Sequence, residues 1–257
     1  MERIVLIGAG NVATSLANAL LGKGYQIVQI YSKTIDSAKN LADSIKTSFT
    51  DRIDNLILDA DIYFVCLPDK VIPDFVVGFP KIEGYIAHTS GSTNIAVFSS
   101  IRAKGYGVFY PFQTFTKNRI VPFFDIPICI EGNDPTTFNF LKGVACNLSG
   151  NVVEMDSETR TWLHLTGVFT NNFTNHLLAI SYKIASEKGF NFGLVRPLMV
   201  ETIEKAMQTD PNKVQTGPAV RFDQTTINLH VNKLKDYSNE LAELYKELSL
   251  SIQKFVK

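Results

Sequence analysis

The chain opens on an unbroken apolar run. Arg3 to Ile7 is short and β-branched, the pattern of a strand buried on both faces. A glycine turn follows at once. Val12, Leu16, Ala19 and Leu20 then recur at helical spacing. Further strand-like runs fall at 26–31, 61–67, 85–88, 107–110, 126–130 and 152–153. Helical patterns alternate with them: one through Ala38, Leu41, Ala42 and Ile45, a short one over 71–77, and others over 95–103 and 138–148. Asp36 is placed to cap the second helix, and Thr89-Ser90-Gly91-Ser92 to cap the helix from Ile95. This alternation predicts an α/β fold, a Rossmann-type doubly wound parallel sheet, over residues 1–154.

After Glu154 the period changes and strand signals stop. Residues 155–188 contain no proline and only Gly167, so they predict one long helix or two in tandem. His164, Val168, Asn171 and Asn175 are spaced by four, three and four and share one helix face, with Asn172 at its flank. A further helix is expected over 194–208, closed by Asp210-Pro211-Asn212. A loop follows, Thr216-Gly217-Pro218-Ala219-Val220-Arg221-Phe222-Asp223, with Asp223 placed to cap what comes next. Leu234, Tyr237, Leu241, Leu244, Leu248, Ile252 and Phe255 then read as one last helix with a core or interface stripe. Residues 155–257 thus form an all-α C-terminal domain.

The first turn carries the most specific chemistry. Gly8-Ala9-Gly10-Asn11-Val12-Ala13 is Gly-x-Gly-x-x-Ala between a strand and a helix, the dinucleotide-binding arrangement. Gly8 permits the tight turn, Gly10 lets a pyrophosphate approach the backbone, and Ala13 lets the helix pack closely. Free N–H groups at the helix start face the phosphates. The acid that would hold a ribose 2′-hydroxyl at the end of the second strand is missing; Tyr31, Ser32, Lys33 and Thr34 stand there instead. A hydroxyl and a cation suit a 2′-phosphate, so the expected cofactor is NADP; the structural alternative for Lys33 is an ordinary solvated side chain. Leu67, Pro68 and Ser90 end strands and are expected to border the cofactor, the first two near the nicotinamide ribose. Pro111-Phe112-Gln113-Thr114-Phe115 is expected to form a lip over the nicotinamide.

Composition narrows the partners. The 257 residues suit two domains, and 45% apolar content supports a sizeable core. Lys plus Arg equals Asp plus Glu at 25 each, which gives no general pull toward nucleic acid or anionic membranes. No apolar run is long enough to span a bilayer, and the chain begins directly with a strand, so a cytoplasmic protein without a signal peptide is expected. Cys66, Cys129 and Cys146 have no paired spacing and are expected as reduced, buried thiols, with no metal site.

Together Gly8–Ala13, Cys66-Leu67-Pro68-Asp69, His88-Thr89-Ser90-Gly91 and Thr216-Gly217-Pro218-Ala219-Val220-Arg221 resemble NADP oxidoreductases that join a Rossmann-like domain to a helical domain of unknown function. These are similar to deazaflavin-dependent NADP oxidoreductases. The N-terminal half also resembles pyrroline-5-carboxylate reductase. The resemblance spans essentially the whole chain and implies NADP without supplying a substrate. The family's usual form of the last segment has glycine after the arginine, where Phe222 stands here. The resulting expectation is hydride transfer between NADPH and a small carbonyl or imine compound. His164 would donate the proton, Asn171 or Asn172 would orient the substrate, and Arg221 would hold a substrate carboxylate. Helical geometry favours Asn171 and the resemblance favours Asn172. His164 and the asparagine are expected to face the nucleotide crevice from across the domain boundary, with Arg221 approaching it. A homodimer through the C-terminal helices is expected from their apolar surface. The alternative from another class is a non-catalytic NADP-binding sensor or scaffold.

Overall fold

Ile4, Val5, Leu6 and Ile7 are fully buried in β1 (Arg3–Ile7). The computed structural model describes residues 2–117, 119 and 121–255. Successive side chains of β1 point to opposite faces: Ile4 and Leu6 join one core cluster, Val5 and Ile7 the other. β1 leads into α1 (Asn11–Gly22), β2 (Gln26–Tyr31), α2 (Ile35–Ile45) and β3 (Ser48–Thr50). β4 (Ile62–Val65), α3 (Ile72–Val76), β5 (Tyr85–His88), β6 (Gly105–Pro111), β7 (Ile128–Gly132), α4 (Pro135–Leu148) and β8 (Val152–Glu154) follow. Among the described residues these strands form one eight-stranded sheet of order β3-β2-β1-β4-β5-β6-β7-β8. All pairings are parallel except β6 with β7. The order reverses direction between β1 and β4, the switch point at which open α/β sheets bind ligands beyond their carboxyl ends.

Several expected details differ. β3 was not anticipated. It is only three residues long and follows a left-handed Lys46. Asp36 lies in the first turn of α2, where it complements the helix dipole, and Thr34 occupies the cap position without a side-chain bond. The helix expected over 95–103 is a single 3₁₀ turn, Ile95–Phe98, capped by the Asn94 side chain rather than by the Ser90 turn. Ser99 and Ser100 follow, and serine competes poorly for helix interiors. β7 starts at Ile128 because Pro127 has no N–H to give a ladder.

The chain divides into two compact units, 1–176 and 177–257. The strand-to-helix change after β8 lies inside the first unit, which also holds α5 (Ser157–Gly167) and a π-helical segment, Val168–Phe173. The unit boundary falls within α6 (Thr174–Glu187). The second unit contains α7 (Arg196–Gln208), α8 (Pro211–Val214), α9 (Gln224–Lys235) and α10 (Asn239–Phe255). Asp210 and Pro211 start α8 rather than simply closing α7, an aspartate cap with proline in the first turn. The final apolar stripe spans two helices, with a break at 236–238 where Ser238 caps α10. Ile227, Val231 and Ala242 form the core between α9 and α10.

Candidate functional site

The glycine turn is built as its residues dictate. Gly8 has φ +113, and a Cβ there would collide with the Cys66 backbone carbonyl, so β1 and the end of β4 meet only because glycine stands there. Gly10 is the N-cap of α1 and offers no side chain to its orphan N–H groups. A Cβ on Gly10 would meet nothing within 4 Å. The result is an open backbone cradle with unpaid helix donors behind it, and it fits a pyrophosphate. Ala13 is fully buried, as close helix packing requires.

Beside the turn runs a cleft of about 490 Å³, lined by Tyr31, Ser32, Lys33, Leu67, Pro68 and Phe75 among others. Lys33 and Thr34 are exposed, and the Ser32 hydroxyl accepts from the Thr34 N–H at 3.3 Å. Leu67 and Pro68 share this cleft with Ser32 and Lys33 and do not line the one that holds His164.

That second cleft, about 520 Å³, lies within the first unit. Tyr110, Phe112, Gln113 and Thr114 line one side, and His164, Gly167, Thr170, Asn171 and Asn172 the other. No charged side chain lines it among the described residues. His164 Nδ1 stands 3.1 Å from the Tyr110 hydroxyl. A Cβ on Gly91, in the turn after β5, would lie 2.5 Å from that nitrogen. His164 thus sits at the carboxyl ends of β5 and β6, the same end of the sheet as the glycine turn. Burial pushes the Tyr110 hydroxyl up to about 12, so it stays neutral. The π segment, Val168–Phe173, carries both asparagines. Its wider turn brings both Asn171 and Asn172 to the cleft, with Asn171 Nδ2 3.5 Å from Asn172 Oδ1. Phe112, Gln113, Thr114 and Phe115 of the 111–115 loop line this cleft.

Ser90 is buried, and its hydroxyl is used inside its own turn, donating to Thr93 Oγ1 and accepting from the Ser92 and Thr93 N–H groups. The Ser92 hydroxyl donates to Asp69, joining the turns after β4 and β5. Arg221 belongs to the second unit, exposed in the turn ahead of α9, and Asp223 caps that helix by accepting from the Thr226 N–H. Cys66 and Cys129 are buried, whereas Cys146 is exposed on α4, which corrects the expectation of three buried thiols.

Two contributors escaped the sequence reading. Tyr110 ends a strand, which is a signal in open sheets, but its partner lies 54 residues away. Arg160 is fully buried one turn before His164. It donates to Glu131 at 2.6 Å and to the Thr93 carbonyl at 2.6 Å. Ser157 donates to the same carboxylate at 2.7 Å. Nothing in local periodicity marks an arginine for such burial.

A mostly parallel sheet with this turn at its switch point defines a Rossmann-type dinucleotide-binding protein. Residues 3–85 match the family described as NADP oxidoreductase coenzyme F420-dependent, and residues 126–252 match a domain of unknown function (DUF2520). A solved candidate NADP oxidoreductase from Bacteroides fragilis is 40% identical, with a TM-score of 0.91 over 98% of each chain. The chain belongs to this family of NADP-dependent oxidoreductases. A Thermotoga maritima protein is 23% identical, with a TM-score of 0.69 over 98% of each chain. A reductive aminase from Aspergillus terreus, solved with NADPH and ethyl-5-oxohexanoate, shares the fold at 16% identity, with a TM-score of 0.66 over 100% of this chain and 92% of that one. No curated protein matches the chain.

Proposed function

We propose that this protein binds NADPH and reduces a small carbonyl or imine compound, with His164 as proton donor. One observation carries the reading: His164, Asn171 and Asn172 line one cleft at the carboxyl ends of β5 and β6. The bound nicotinamide supplies a hydride. The backbone N–H groups of Gly10 to Ala13 hold the pyrophosphate. Ser32, Lys33 and Thr34 take the 2′-phosphate, with no carboxylate among them to repel it. The cleft at Leu67, Pro68 and Phe75 borders the bound cofactor. His164 gives a proton to the substrate atom that gains charge, and the two asparagine amides orient that atom. The Aspergillus structure with NADPH supports the cofactor by likeness of fold. For Arg221 the role is proposed from chemistry alone, a bidentate grip on a substrate carboxylate.

Assembly is part of the same reading. Leu194, Leu198, Ile203 and Met207 of the second unit expose between 50% and 81% of their surface, more than a solitary helical unit of this size tolerates. A second copy of this chain covers them in a homodimer. A dimer mass by light scattering at micromolar concentration is expected, and a monomer rejects it.

The deciding experiment has two arms. In fluorescence titrations NADPH binds more tightly than NADH, and Lys33→Asp weakens NADPH in particular; equal or reversed affinities sink the cofactor assignment. In turnover assays with a panel of small carbonyl and imine compounds, His164→Gln loses roughly 10²–10⁴-fold in kcat with NADPH affinity intact. Unchanged turnover removes His164 from catalysis.

A further inference from the structure

We propose that Tyr110 is a positioning residue that orients the His164 imidazole and leaves Nε2 as the nitrogen that faces the substrate. The inference rests on the reading of His164 as proton donor and adds to it which atom gives the proton and what fixes that choice.

The geometry is local and closed. The Tyr110 hydroxyl is the hydrogen-bond partner of His164 Nδ1 among the described residues, at 3.1 Å. The two rings meet edge to face, with centroids 6.1 Å apart and planes at 65°. The turn after β5 presses on the same side of the pair. A Cβ on Gly91 would lie 2.5 Å from Nδ1 and 2.8 Å from Tyr110 Cζ, so no third side chain fits there. Tyr110 itself sits on β6, a strand paired on both sides, which gives the hydroxyl a rigid mount.

A phenol suits this place because its oxygen accepts from Nδ1–H. When the imidazolium gives its Nε2 proton to the substrate, the neutral ring keeps its hydrogen on Nδ1, donated to the phenol oxygen. Toward an imidazolium the Nδ1–H donates to the phenol oxygen. Nδ1 is engaged in either state, and the exchangeable proton toward the cleft is the one on Nε2. Burial holds the phenol neutral, its value pushed up to about 12, so it orients the ring without adding a negative charge beside it. A carboxylate in the same position would orient the ring equally well but would bring such a charge.

The test is ¹⁵N NMR of the protein without added ligand. The chain has four histidines, and the His164 signals are assigned by their loss in His164→Gln. The neutral His164 ring is expected to carry its hydrogen on Nδ1, donated to the Tyr110 oxygen. In Tyr110→Phe that preference is expected to disappear into a mixture of both tautomers. NADPH affinity stays within twofold of wild type, which also reports that the variant folds, and kcat drops at least tenfold. A wild-type neutral ring with its hydrogen on Nε2 overturns the proposal. So does a Tyr110→Phe variant whose tautomer signature is that of wild type. If His164→Gln keeps its turnover, the proton-donor reading fails instead, and the ligand-free spectra still decide the Tyr110 contact separately.

Discussion

His88 closes β5 with no exposed surface. Its Nδ1 accepts from the Ser90 N–H at 3.2 Å, while Nε2 has no hydrogen-bond partner among the described residues. Burial, helped by the nearby Arg160 charge, pushes its value down from 6.5 to about 3. The sign follows from linkage. The folded protein keeps His88 neutral, whereas the unfolded chain protonates it below 6.5, so stability falls as pH drops from 6.5 toward 3. Between pH 6.5 and 5 this group removes roughly 1.5 kcal/mol. His88→Phe is expected to flatten the pH dependence of the urea midpoint over that window by about this amount. An unaltered slope would show that His88 does not titrate on unfolding. Phe222 presents a different residue-scale strain. It holds φ +55, a left-handed conformation, where the resemblance leads one to expect glycine. The sequence therefore showed the anomaly but not its size, because a backbone angle has no compositional signature. Phe222→Gly is expected to be more stable than Phe222→Ala by about 1 kcal/mol, the reverse of the usual order, in paired thermal melts.

At the scale of elements, α5 is anchored by charge. Arg160 is fully buried, paired with Glu131 of β7 at 2.6 Å, and tied to the Thr93 carbonyl and Ser157. Its Nε has no partner among the described residues. Breaking one side of such a pair leaves an uncompensated buried charge and costs about 3 kcal/mol. Glu131→Gln should show this loss in urea unfolding; a change under 1 kcal/mol would mean that the guanidinium finds other compensation. The strands, the glycine turn and the helical run toward Glu187 were legible because each announces itself within a dozen residues. The anchor was not, since it joins residues 29 positions apart. The π turn was equally hidden. It is a single short segment inside a run that is otherwise α-helical, so no repeat marks it, yet both Asn171 and Asn172 on it line the cleft. The break at 236–238 was masked in the same way, because apolar spacing ran on through it.

The first unit is asymmetric about its sheet. One face is covered by α1, α2 and α4, whose Leu16, Leu20, Leu41 and Leu141 join the larger core cluster. The other, among the described residues, carries the five-residue α3 and isolated 3₁₀ turns over Val5, Ile7, Tyr63, Val65 and Phe98. Sequence alternation predicted helices on both faces, and it could not distinguish a full crossover helix from a short one followed by coil. The thin layer is also the wall of the cleft at Leu67, Pro68 and Phe75. Short helices with few backbone bonds open more readily than long ones. Amide hydrogens over 69–79 should therefore exchange faster with deuterium than those of α1 or α4 in the free protein. Saturating NADPH should slow that exchange across the whole segment, including amides that never meet the nucleotide; uniform protection in the free protein would contradict this. The consequence is thermal as well as spatial. A sheet plated heavily on one side and lightly on the other has a built-in soft side, so a nucleotide seated there acts as a clamp, and the melting temperature should climb with the logarithm of its concentration.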